Sequence, residues 1–159
     1  MKDINNMKTQ TKTKTKNINL GYLHIASWNP KEPLFPEWFN EDPKDLKETQ
    51  DNPPETIVLE EGEYKLKIDY PLNNPSVSKL KVGKRGLSRI KLADKICKQY
   101  KKIYQEEDKS IGHKTGNVKG MFNRAESDGK YGIWGHYIDD LTLHCAVVKN
   151  NVITVGVDS

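Results

Sequence analysis

The chain is poor in the features that give most small proteins away. It has only two cysteines, Cys97 and Cys145, each among apolar neighbours. That argues for reduced, buried thiols rather than a disulfide framework. No apolar run approaches the roughly 20 residues that cross a bilayer, and the Lys/Thr-rich start carries no secretory signal. The expectation is therefore an intracellular protein with no membrane partner. Apolar residues are scarce as well, at 35% of the 159, with a mean hydropathy of −0.82. A compact core accompanied by unstructured chain fits that balance. There is no HExxH, no paired CxxC, no GxSxG and no Walker A spacing. No cofactor and no metal site is implied.

Charge is present, but unevenly. The formal net charge is +4, and residues 1–19 alone supply it. Residues 20–63 hold three lysines against eleven acids, a net of −8. Residues 64–124 hold sixteen basic residues against five acids, a net of +11, and residues 125–159 contribute −3. Two readings follow: the acidic segment folds back on the basic one, or the basic one faces an external polyanion. Self-neutralisation is preferred on the sequence alone.

Composition divides the chain. Residues 1–19, with their Thr-Lys alternation, bury too little to offset the entropy of ordering and are expected to be disordered. Residues 20–55 read as an extended aromatic arm, punctuated by Pro30, Pro33 and Pro36, followed by an acidic loop with a helical turn near Asp45–Thr49. Trp28, Phe35, Trp38 and Phe39 are either plugs for the arm's own domain or anchors for a protein partner. Residues 56–159 predict an α+β domain: a small antiparallel sheet of about five strands packed by one main amphipathic helix. Strands are expected from Thr56 up to a turn at Gly62, over Tyr64–Tyr70 and within "VSKLKVG", and a hairpin turns at Asn150-Asn151, which tolerate positive φ. The helix occupies "LSRIKLADKICKQYKKIYQEE", capped by Ser88. Leu92, Ala93, Ile96, Cys97, Tyr100, Ile103 and Tyr104 form its apolar face.

Three sets of candidate site residues emerge. Lys91, Lys95, Lys98 and Lys102 stack opposite the apolar face, either as a solvated stripe or as a surface for a polyanion or partner. Lys84, Arg85 and Arg89 crowd the helix N-terminus, against the macrodipole, where a bound anion would reverse the cost. Finally, "DGKYGIWGHYIDDLTLH" gathers His136, Asp139, Asp140 and His144, with His113 in the preceding loop as a further catalytic candidate. A strand beginning near Asp140 puts Asp140, Thr142 and His144 opposite Leu141, Leu143 and Cys145. Asp140 and His144 are then about 13 Å apart, too far to share a metal. Gly129, Gly132 and Gly135 favour a structural corner.

Taken together, "RGLSRIKLADKICKQYKKIYQEE" and "NRAESDGKYGIWGHYIDDLTLH" resemble a family of small uncharacterised proteins encoded by large DNA viruses of protists, over about residues 66–158. The resemblance implies an intracellular, host-directed or virion-associated protein and transfers no functional residue. The functional expectation is a non-enzymatic binding protein that engages a protein partner or a polyanion such as nucleic acid. The alternative is a small phosphate- or nucleic-acid-directed hydrolase using His113, His136 and Asp139.

Overall fold

The computed structural model describes residues 14–159; the tail expectation for residues 1–13 lies outside them. The architecture is α+β. Seven strands are β1 (Lys16–His24), β2 (Ile57–Leu59), β3 (Gly62–Ile68), β4 (Ser76–Val82), β5 (Leu87–Ser88), β6 (Thr142–Lys149) and β7 (Val152–Asp158). Two α-helices are α1 (Pro43–Asp51) and α2 (Arg89–Ile111). Five strands form one sheet in the order β1-β6-β7-β3-β4, while β2 and β5 pair separately. The sheet is mixed rather than wholly antiparallel, because β7 lies parallel to β3, with Lys65 opposite Val152 and Leu66 opposite Ile153.

The hairpin from β6 to β7 forms where Asn150 and Asn151 adopt φ of 52° and 59°, as a tight primed turn requires. Helix α2 starts at the Ser88 cap, whose hydroxyl accepts from the Lys91 N–H. It runs one turn past the expected segment and stops at Gly112, in the left-handed region at φ 79°. Its seven expected apolar residues are all buried, joined by Arg89 and Glu107. They pack with Leu66, Ile68, Leu80, Val82, Leu143, Ala146 and Ile153 of the sheet in one core.

Strand β1 begins inside the segment read as tail. Ile18, Leu20, Leu23 and Ile25 are buried in the core, and pairing with β6 offsets the ordering cost that the Thr-Lys composition suggested was prohibitive. Two extra residues in β1 between Asn19 and Leu23 place Gly21 at φ 91°, where a Cβ would lie 2.1 Å from the Leu34 carbonyl oxygen. The arm therefore crosses β1 in direct contact. It is also less extended than its prolines suggest. Residues Glu37–Glu41 form a 3-10 turn, and α1 has nine residues, with Pro43 in its first turn and the Asp42 side chain accepting from Lys44 N–H.

Strand parity near the C-terminus also differs from expectation. Asp140 belongs to a 3-10 turn, Ile138–Asp140, and β6 starts at Thr142. Leu143 pairs with Val157 and Cys145 with Gly156, so His144 is the extra residue of a β-bulge. The bulge turns Leu143 and Ala146 into the core and leaves Cys145 half-buried.

Candidate binding face

The glycine-rich corner is organised around one buried carboxylate. Glu107 is 0% exposed and accepts from the Ser127 hydroxyl at 2.6 Å, the Gly129 N–H at 2.8 Å, the Tyr131 N–H at 2.7 Å and the Gly132 N–H at 3.2 Å. Burial pushes its carboxyl up, but the Ser127 hydroxyl and the three backbone N–H groups pull harder and hold it below the ordinary carboxylate range. Asp108 faces the buried Arg124 guanidinium at 3.7 Å, and Glu106 takes the Tyr131 hydroxyl and the Lys130 ammonium. The three acids that oppose the helix dipole are thus the clamps that hold residues 124–132. This is a structural corner.

The catalytic candidates stay apart. His113 is exposed and bonds the Ile111 carbonyl. His136 packs on Tyr70 and Trp134 and lies 3.3 Å from the Ser159 hydroxyl. His144 sits 2.7 Å from the Asp158 carboxylate. Asp139 is exposed, and Asp140 accepts from the Tyr137 N–H. A Ser-His-Asp relay requires one imidazole between hydroxyl and carboxylate; here Ser159 and Asp158 each meet a different histidine. Among the described residues, no hydrogen bond joins any two of His113, His136 and Asp139, and no group of three or more His, Cys, Asp or Glu side chains is placed to hold a metal ion. Trp134 stands 37% exposed, while Ile133 beside it is fully buried.

At the start of α2 the groups expected to converge on an anion are largely engaged within the protein. The Arg89 N–H donates to Thr56, the Ile90 N–H to Pro54 and the Lys91 N–H to the Ser88 hydroxyl, so the first turn presents no free donor. Arg89 is buried at 8% exposure, with Nε on the Asn19 carbonyl at 2.8 Å and Nη1 on the Pro53 carbonyl at 2.6 Å. It is an internal strut between arm and helix. Lys84 and Arg85 remain exposed at the tip of a Gly83–Gly86 turn.

Of the four arm aromatics, Trp28 and Phe35 are buried in their own domain, and Phe39 packs half-buried against Phe35 at 5.0 Å. Only Trp38 is substantially exposed, at 57%, edge-on to Tyr22. Trp28, Phe35 and Phe39 thus pack into their own domain, and Trp38 is the member of the set that faces solvent.

What the structure assembles is a basic face around β4. That strand pairs with β3 alone among the described residues, which leaves its other edge open. On the outer side, Lys65 stands directly opposite Lys79, and Lys81 opposite Glu63. These residues line a groove of about 430 Å³ with Tyr64, Asn150 and Asn151. On the inner side, Lys95, Lys98 and Lys102 line a second groove of about 270 Å³ with Leu66, Ser78 and Gln99. Lys79 and Leu80 border both grooves. Lys98 and Lys102 reach Asp94 and Glu106 on their own helix. The acidic segment meets this face at one register position, Glu63 opposite Lys81, and among the described residues no ion pair joins residues 20–63 to residues 64–124. Strand residues Lys65, Lys67, Lys79 and Lys81 went unremarked in the sequence because period-two alternation reads as an ordinary solvent face. Their pairing register is a long-range property.

No protein-family model, no curated protein and no solved structure matches the chain.

Proposed function

We propose that this chain is a non-enzymatic binding protein that takes an acidic, extended segment of a partner protein along the open edge of β4. The observation that carries the reading is the concentration of cations on both sides of that edge, of which only Lys81 faces an acid of the 20–63 segment, Glu63 across the strand pair. Side chains of an added strand alternate between the two sides. Carboxylates on one side meet Lys65, Lys79 and Lys81; those on the other meet Lys95, Lys98 and Lys102. The preferred ligand is accordingly a run of consecutive acids rather than an alternating one.

Lysine on an edge strand also guards against unwanted edge pairing. That accounts for Lys79 and Lys81, but not for Lys65 across the strand or for the helix stripe. Nucleic acid is the weaker partner. Tyr64 is the one aromatic lining either groove, and its hydroxyl is committed to the Glu60 carbonyl, so bases have little on which to stack.

Fluorescence anisotropy with a labelled octaglutamate peptide tests this. Binding is expected to weaken as salt rises and to fall by about tenfold or more in Lys79→Glu/Lys98→Glu. Methylating alternate backbone amides of the peptide, which keeps its charge, is expected to abolish it. Equal binding of the methylated peptide, or tighter binding of a DNA duplex, overturns strand addition.

A further inference from the structure

The loop between α2 and the glycine-rich corner presents a second, unrelated surface. Residues Val118–Asn123 form a tight turn closed by the Val118 N–H on the Asn123 carbonyl at 2.8 Å and the Met121 N–H on the Val118 carbonyl at 2.9 Å. Below it, Asn117 bridges Arg124, and the Ala125 N–H bonds the Gly116 carbonyl. Arg124 is itself buried and tied to Ser127 and Asp108, so the base of the turn is fixed to the body of the protein. At its tip Phe122 is 94% exposed and Met121 55%, with Val118 beside them at 38%. A braced turn that holds its largest apolar side chains in water, rather than tucking them in, marks an interaction site more than an accident of composition.

The surroundings indicate what the tip meets. Between Asp108 and Glu126 the chain has no acid, and Lys114 and Lys119 are exposed on either side of the tip's approach. The tip offers apolar bulk and long cationic stems, while the backbone donors of Val118 and Met121 are already used within the turn. Beside a bilayer lysine is favoured, because the stem lies along the apolar boundary while the ammonium reaches lipid phosphate. We infer that the Val118–Asn123 turn is an anchor for an anionic membrane surface, with Met121 and Phe122 entering the headgroup–acyl boundary and Lys114 and Lys119 on the phosphates. Such an anchor departs from the sequence-based expectation of no membrane partner, which rests on the lack of a spanning segment and a secretory signal; no helix among the described residues is long and apolar enough to cross a membrane. An interfacial tip needs none. The inference stands apart from the β4 edge.

The test is co-sedimentation of the full chain with vesicles of phosphatidylcholine alone or with one third phosphatidylserine. The expected result is binding to the anionic vesicles only, reduced by about tenfold in Phe122→Asp with an unchanged melting temperature, since the side chain touches almost nothing. In Phe122→Trp, the added indole emission should shift to the blue and be quenched by brominated acyl chains. No sedimentation of the wild type with anionic vesicles overturns the inference. So does undiminished sedimentation of Phe122→Asp, which would assign the attraction to the basic face alone. An added emission in Phe122→Trp that brominated lipid leaves unchanged overturns it as well.

Discussion

Lys65 and Lys79 stand directly across from each other on β3 and β4, two like charges in the nearest-neighbour position of a sheet. Such a pair destabilises the free protein by about 0.2–1 kcal/mol. Lys79→Gln is therefore expected to raise stability by a few tenths of a kcal/mol to about 1 kcal/mol, measured by urea denaturation, while weakening octaglutamate binding. Gained stability with lost affinity is the signature of a strand kept basic for its ligand. A variant that loses stability contradicts the electrostatic account of this pair.

Glu107 should behave as a buried keystone. Glu107→Gln keeps the shape but turns an amide N–H₂ toward donors, and the expected loss is about 2–4 kcal/mol. Because the folded carboxyl titrates below its ordinary value, its stabilising contribution is complete above the unfolded value near pH 4.3 and fades as pH falls through the folded one. The gap between wild type and Glu107→Gln should accordingly be constant near neutrality and close in acid. A gap that widens in acid would reverse the sign argued here.

The bulge at His144 makes a steric prediction. A Cβ at Gly156 would lie 2.4 Å from the Cys145 Sγ, closer than any contact permits. Gly156→Ala is expected to cost about 1–3 kcal/mol, and Cys145→Ala in the same chain to restore most of it. Thermal melts of the two single variants and the double one decide the matter; additive losses would mean that the contact is not the cause.

The two thiols should separate in a titration with an aromatic disulfide. Burial pushes the Cys97 thiol up to about 12 and leaves it 1% exposed, so it carries almost no thiolate at neutral pH. Cys145 is half-buried at the bulge. One equivalent reacting under native conditions and a second only in denaturant is the expected outcome; two fast equivalents would contradict the core assignment of Cys97.

Local signals carried the elements whose causes are local. Ser88, the seven apolar residues after it and the Asn150-Asn151 pair were readable because capping, helical period and positive φ act over a few positions. The misreadings have long-range causes. Arg89 looked like a solvent cation at a helix start, yet its partners are the carbonyls of Asn19 and Pro53. Glu107 carries no local signal of its role, because its four donors lie 20 to 25 residues downstream. Nothing in "NINLGYLHI" announces that β6 will accept it. Of the candidate site, the helix lysines were visible as a stripe. Their convergence with Lys79 needed the sheet order, and Phe122 gave no signal because an isolated aromatic has no period.

The two edges of the sheet are not alike. At β1 the Tyr22 N–H is taken by the Leu34 carbonyl and the Asn19 carbonyl by Arg89, while β4 has no second neighbour among the described residues. A sheet with one sealed and one vacant side has a valency of one. It can accept a single guest strand and then has nothing left to offer a third molecule, so it ends a chain of pairings where two open edges would propagate a fibre.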